Sequence, residues 1–317
     1  MKNKVAFIIP YFGKLPNFAC FFFESTKHNF DFDFIFFTDI DTILETKNVF
    51  VNKMQFSEFK QLASKKMELD IHFTSAYKLC EFKPVYGKIF EDYIPEYSFW
   101  GVCDIDLILG RLTHFITDEL LDKIDVYSGV SYYLSGSFFL FRNTPQLNLL
   151  YEKSIDYKQI FENEEYRFFD ECGPVWHELA QGNSIEEVHA GIDSITHVIR
   201  RQEKEGKLKT YFADSILERT GDNSVLIKKG AIIMAEKEYL TLHFIYLKTT
   251  YHFFVPNWNP IPINYFVDTL GFHPMSSLSG LRYLTDGSVA NKVRNKFNNI
   301  IKRVVKLNFK PSSHKIR

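Results

Sequence analysis

The sequence predicts an α/β protein, a mostly parallel sheet with helices on both faces. Three observations carry this. Short apolar runs rich in Val, Ile and Phe alternate with segments of helical pattern through the first half of the chain. Those runs are continuous rather than alternating apolar with polar, as expected of strands buried on both faces. And 33 Phe and 17 Tyr among 317 residues can fill a large core, since each ring removes about 150–250 Å² from water.

Val5 to Ile9 is a short apolar run closed by Pro10-Tyr11-Phe12-Gly13, a buried strand and its loop. Asn17 to Lys27 suits a helix. Phe32 to Thr38 is a second strand, ending at Asp39, and Asn48 to Met54 a third. Ser57 opens a helix with Glu58 in its first turn. Glu81 to Tyr93 reads as a helix that tolerates Pro84 in its first turn. Phe99 to Leu109 is one apolar run interrupted only by Gly101, Asp104 and Asp106. Thr113 to Lys123 reads as a capped helix led by Thr113, Asp125 to Val130 and Ser137 to Phe141 as strands, and Gln146 to Ser154 as a helix. The polar stretch Asp156 to Leu217 is expected to be helical, and Ala231 to Tyr246 strand-like. Pro256-Asn-Trp-Asn-Pro-Ile-Pro262 marks a boundary, giving a main domain over 1–255 and a C-terminal extension over 256–317.

A net charge of −1 excludes a whole-molecule polyanion binder, so no nucleic-acid partner is expected. Cys20, Cys80, Cys103 and Cys172 form no CxxC pair and read as free thiols of a reducing compartment. No apolar run approaches the ~18–20 residues of a membrane span. Pro10 and Gly13 cut the first apolar run short of a signal-peptide core. A cytoplasmic location follows as the expectation.

Trp100-Gly-Val-Cys-Asp104-Ile-Asp106-Leu-Ile-Leu109 is the most informative stretch. On a strand, residues two apart share a face, so Asp104 and Asp106 would project together. Two like charges in apolar surroundings are costly unless partnered. A divalent cation answers both costs, and hard oxygen ligands suit Mg²⁺ or Mn²⁺. The bland alternative is a strand that ends at Cys103 with both carboxylates facing water. Sheets of this kind bind ligands beyond the carboxyl ends of their strands, which gathers Tyr11, Asp39 and the Asp pair near one crevice.

A strand ending in DxD, about a hundred residues after an N-terminal nucleotide-binding strand, resembles the type A fold (GT-A) glycosyltransferases, with their Rossmann-type sheet. Val5 to Ile9, Phe34 to Asp39 and Trp100 to Leu107 follow that order. Ser135-Gly136-Ser137-Phe-Phe-Leu-Phe-Arg142-Asn143 resembles the acceptor-side strand. The resemblance spans roughly residues 1–255. It implies Asp106 on the metal, Asp104 on the metal or the ribose, and Tyr11 and Asp39 around the nucleobase. It also implies a nucleotide-sugar donor, with UDP preferred. Without it, Tyr11 reads as core packing and Asp39 as a turn residue.

A nucleoside diphosphate leaves well only if its new charge is neutralised, by a metal and by a lysine. Leu242-His243-Phe-Ile-Tyr-Leu-Lys248 resembles the motif of glycogenin-like and lipopolysaccharide galactosyltransferase-like members. There the His completes the metal shell and the Lys binds the diphosphate, which implies those roles for His243 and Lys248. Where the family continues Pro-Trp, this chain has Thr249-Thr250. Phe168-Phe169-Asp170-Glu171 offers two carboxylates after aromatics. Asp170, ahead of Glu171, could take the acceptor's proton in an inverting enzyme or steady the donor sugar in a retaining one. A helix N-terminus would explain the same acids. Lys83, in Glu81-Phe-Lys83-Pro84, could reach the donor.

The tail carries nine Lys or Arg and no acid from 291 to 317, with Phe297, Ile300, Ile301, Val304 and Val305 at helical spacing. A basic amphipathic helix of this type can lie on an anionic membrane surface. The expectation is therefore a peripheral glycosyltransferase at the inner membrane face. Its acceptor is a glycan or lipid-linked glycan in surface-polysaccharide (capsule or lipopolysaccharide) synthesis. A metal-dependent phosphohydrolase and a non-catalytic membrane-binding module are the alternatives.

Overall fold

In a computed structural model the described residues are 1–276, apart from 44 and 251. In chain order the strands are β1 (Val5–Pro10), β2 (Phe32–Thr38), β3 (Val49–Lys53), β4 (Phe99–Cys103) and β5 (Leu107–Leu109). Then come β6 (Val126–Ser128), β7 (Phe138–Arg142), β8 (Thr210–Phe212), β9 (Ile216–Leu217) and β10 (Val225–Lys228). The last are β11 (Ala231–Met234), β12 (Lys237–Tyr239), β13 (Thr241–His243), β14 (Asn264–Asp268) and β15 (Gly271–Pro274).

The main sheet has the order β3-β2-β1-β4-β7-β6-β8. Its first four strands are mutually parallel, whereas β7 runs antiparallel to both β4 and β6. The continuous apolar runs are explained by burial on two sides. Ala6, Ile8, Ile35, Phe37, Trp100, Val102, Phe139 and Phe141 point into one core, where the helix Phe56–Met67 contributes Phe59, Ala63 and Met67. The intervening Phe7, Ile9, Phe34, Phe36, Phe99, Cys103, Phe138 and Leu140 point into the other, against Ala19 and Phe22 of the helix Ala19–Thr26. β8 pairs in parallel with β6, so four of the six pairings are parallel and the architecture is the expected mostly parallel α/β sheet with helices on both faces, β7 being its antiparallel strand.

A second, antiparallel sheet has the order β12-β11-β10-β14-β15. Phe21, which enters a different core from its neighbour Phe22 on the helix Ala19–Thr26, stacks on Phe272 with ring centroids 3.8 Å apart. That contact, with Tyr265 and Phe244, fills a third core. A three-stranded sheet, β5-β13-β9, joins these layers.

Several expected elements differ in detail. The run from Phe99 to Leu109 is two strands in two sheets, because Asp104-Ile-Asp106 forms a turn in which Leu107 N–H donates to Asp104 O at 3.3 Å. The expected helix from Thr113 is a 3₁₀ turn, Leu112–His114, followed by a short helix, Asp118–Leu121. Its cap is Thr117, whose Oγ1 accepts from Leu120 N–H. Glu81 to Tyr93 is a succession of α and 3₁₀ turns, with Pro84, which has no N–H to donate, inside the 3₁₀ turn Lys83–Val85. The division expected at 255/256 is crossed by sheet pairing, since β14 hydrogen-bonds to β10. The expected basic amphipathic helix lies outside the described residues. Among the described residues no helix is long and apolar enough to cross a membrane.

Candidate metal and ligand site

β4 ends at Cys103, and Asp104 N–H then donates to Ser137 O across to the start of β7. The chain turns, and β5 leaves in the other direction to pair with β13. In that register His243 lies opposite Leu107, one residue after Asp106. Phe244 N–H donates to Asp106 O at 3.0 Å, and Lys248 N–H to Phe244 O at 2.8 Å. Asp106 and Lys248, 142 positions apart, are brought together by this short strand pairing. The carboxylates are not on one strand face as expected. They still converge, because both line one cleft at the end of β4.

Ligand atoms of Asp104, Asp106 and His243 all lie within 4.8 Å of one another. Three ligand atoms this close together could be drawn onto one divalent cation by movement of side chains alone. The donor set of two carboxylates and one imidazole fits Mg²⁺ or Mn²⁺. Asp106 is buried and bonded to Lys248 Nζ at 2.5 Å, with His243 Nε2 at 3.5 Å. Burial by itself raises its pKa, but these two cations outweigh it and hold the carboxyl below its ordinary range. Asp104 is held by Lys83 Nζ at 2.7 Å. There burial prevails over the lysine and the pKa is raised.

Glu218, which the sequence reading passed over, accepts or shares the His243 Nδ1 hydrogen bond at 2.9 Å. Parallel pairing of β9 with β13 puts it there. Burial lowers the His243 pKa, yet the bonds to Asp106 and Glu218 reverse this and push it up to about 9. A carboxylate on Nδ1 leaves Nε2 facing Asp106, the arrangement commonly found behind metal-bound histidines. An isolated Glu after a two-residue strand gives no sequence signal. Only the fold makes it a partner.

The cleft holds about 380 Å³ and opens beyond the carboxyl ends of β1 and β4. Tyr11 and Phe12 form one wall, Ala76 to Tyr86 another, and Lys83, Asp104, Asp106 and Lys248 the polar floor. Tyr11 is half-buried, its pKa raised by burial and by Asp106. Asp39 does not line this space. Its carboxylate accepts Gly13 N–H at 2.8 Å and so holds the loop after β1.

Asp170 and Glu171 occupy a turn rather than a helix N-terminus. The first turn of the helix Ile195–Lys204 anchors it: Ile195 N–H donates to Phe169 O and Thr196 N–H to Glu171 O. Gly136 joins this turn to the metal-ligand cluster. Its carbonyl accepts from Lys83 Nζ at 2.7 Å and its N–H donates to Glu171 Oε1 at 3.0 Å. A Cβ on Gly136 would meet Asp170 Oδ2 at 2.6 Å, so a side chain here would drive the two clusters apart. Burial and then the neighbouring Glu171 push the Asp170 pKa well up. Glu171 is raised by burial, against the Trp176 and Gly136 bonds.

The structure thus brings together Asp104, Asp106, His243, Lys248, Lys83 and Tyr11, sets Asp170 and Glu171 beside them, and leaves Asp39 outside. The four cysteines are unpaired. No curated protein is detectably similar to this chain. Residues 7–267, which include every one of these side chains, match a family profile, and the chain belongs to that family, DUF6625, a family of unknown function.

Proposed function

We propose that this protein is a metal-dependent glycosyltransferase of GT-A type, moving a hexosyl group from a nucleotide-sugar, a UDP-sugar by preference, to a glycan or lipid-linked acceptor. The observation that carries the reading is the convergence of Asp104, Asp106 and His243 beside the strand-end cleft that the two carboxylates line, with a lysine on each carboxylate. The neighbourhood of β1, β2 and β4, with β7 bordering β4, agrees with the order of features that the GT-A resemblance implies.

The roles follow from placement. Asp104, Asp106 and His243 would hold Mn²⁺ or Mg²⁺, which when bound supplies Lewis-acid neutralisation of the diphosphate. Lys248 adds a mobile point charge for the same oxygens. Tyr11 and Phe12 offer an aromatic wall to the nucleoside. Asp170 and Glu171, reached through Gly136, stand on the side where an acceptor hydroxyl would lie, and Asp170 in its ionised form can take that proton. A two-metal phosphohydrolase is disfavoured because, among the described residues, these three side chains are the single cluster of three metal-capable groups. Work at an inner membrane face, through the basic tail, belongs to the same proposal.

Calorimetry of UDP binding with Mn²⁺ and with EDTA, in wild type and Asp106→Ala, tests this. Metal-dependent UDP binding that disappears in the variant is the expected result. Tight GDP binding in its place changes the donor and keeps the class. A folded protein that binds no nucleotide under any condition ends the transferase reading.

A further inference from the structure

Beside the carboxylate turn stands a row of four aromatic rings in edge-to-face contact. Tyr77, 64% exposed, meets Tyr166 at 5.0 Å between centroids, Tyr166 meets Phe168 at 4.4 Å, and Phe168 meets Trp176 at 4.7 Å. The row begins at the cleft, which Tyr77 also lines, and leads away from it. Two of its rings are tied to the carboxylates: Tyr166 Oη donates to Asp170 Oδ1 at 3.1 Å and Trp176 Nε1 to Glu171 Oε2 at 2.7 Å.

Core packing accounts for only one end of this row, where Trp176 lies against the buried cluster that includes Val130, Cys172 and Leu179. Phe169 is fully buried, but its neighbour Phe168 is half-buried and sits at φ +61°, in the left-handed region. For a bulky residue that conformation costs about 1–2 kcal/mol. What it achieves is to turn the Phe168 ring outward between Tyr166 and Trp176. Such strain marks a site where ring placement matters more than local ease.

We infer that this row is the acceptor subsite, and that the acceptor it takes is a neutral oligosaccharide. The inference rests on the transferase reading for the word acceptor, but not for the binding. A pyranose presents C–H groups on its faces and hydroxyls around its rim. The C–H faces suit the electron-rich faces of aromatic rings, and the hydroxyls suit carboxylate acceptors such as Asp170 and Glu171. Charge selects neutrality. An anionic sugar would face the Asp170–Glu171 pair, and the two cations beside that turn are already engaged, Lys83 by Asp104 and Gly136 O and Arg167 by Gly191 O.

The test uses the full-length protein with Mn²⁺ and UDP on an array of neutral oligosaccharides and their sialylated and uronate-containing counterparts. Neutral glycans should bind, and the strongest is then titrated. Trp176→Ala should weaken it at least tenfold, with UDP affinity within twofold of wild type. Trp176→Phe keeps the ring, loses the bond to Glu171, and should stay within threefold. Tyr77→Ala, at an exposed ring whose removal leaves the core intact, should also lose glycan affinity. The inference is overturned by a wild type that binds UDP but no glycan, by preference for anionic glycans, by a Trp176→Ala protein as tight as wild type, or by Trp176→Phe as weak as Trp176→Ala. A wild type that binds neutral glycans but no nucleotide removes the transferase reading and leaves the aromatic subsite standing.

Discussion

Two lysine–carboxylate pairs lie five residues apart on one helical stretch and have opposite characters. Lys78 and Glu81 are 1% and 0% exposed. Lys78 Nζ bonds Glu81 and the carbonyls of Ile160 and Glu165, while Glu81 Oε1 accepts the N–H groups of Arg167 and Phe169. All three lysine donors are used within the protein, so nothing remains for a ligand. Lys83 and Asp104 are a lysine–carboxylate pair too, but Asp104 is 32% exposed and faces the cleft beside a second acid. The first network is closed and the second is open. The closed one fastens the stretch that carries Lys83 to the loop that leads into Asp170 and Glu171. It is the frame on which the open one is aligned.

The largest effect should come from opening the site further. Asp106→Ala removes the carboxylate that Lys248 and His243 share. Transfer should fall by at least about 10²–10³-fold, as when a main charge-stabilising group is lost, and metal-dependent UDP binding should vanish. Its melting temperature should change little. A variant that is inactive only because it unfolds would break the distinction between frame and site.

The reverse holds for the closed pair. Lys78→Met leaves Glu81 buried without its cation and should cost about 3–5 kcal/mol in chemical denaturation. Lys83→Met leaves an acid that still reaches the cleft and should cost about 1–2 kcal/mol, while donor affinity drops. Equal losses of stability in the two variants would show that the two networks are alike.

The same contrast explains what could be read in the sequence. Strands buried on both faces were legible as unbroken apolar runs, and two acids inside such a run drew attention because charge there needs a partner. His243 and Lys248 were legible through spacing on one short segment. Lys83 was visible only faintly, since a lysine ahead of Pro84 says nothing about the carboxylate it will meet. Glu218 and the aromatic row were not legible, because their roles arise from pairings between β9 and β13 and between loops 77, 166–168 and 176. Strand-end position alone does not put Asp39 into the cleft lining, and the bond from Gly13 N–H to its carboxylate has no sequence signal. An end of the strand at Cys103 was one of the two readings the sequence left open, but hydropathy cannot show that Leu107 belongs to another sheet.

A smaller effect tests whether the open site has its own support. Glu218→Gln keeps shape but loses charge at His243 Nδ1, and should weaken Mn²⁺ binding about 10–100-fold, as outer partners of metal-bound histidines usually do. Manganese paramagnetic resonance titration reads this without turnover. Unchanged affinity would make Glu218 a bystander to the His243 ring.

The subtlest prediction concerns the acid side of the pH profile. Asp170 has a raised pKa, from burial first and then from Glu171. A base must be ionised, so the rate should fall as pH drops through that raised value, above the ordinary carboxylate range. Glu171→Gln removes the like charge, lowers the Asp170 pKa, and should move the acid limb of kcat/KM to lower pH. Burial remains in the variant, so the limb should stay above that of an exposed aspartate. An acid limb that stays in place, or moves upward, would take the proton-accepting role away from Asp170 and leave the turn as a support for bound sugar alone.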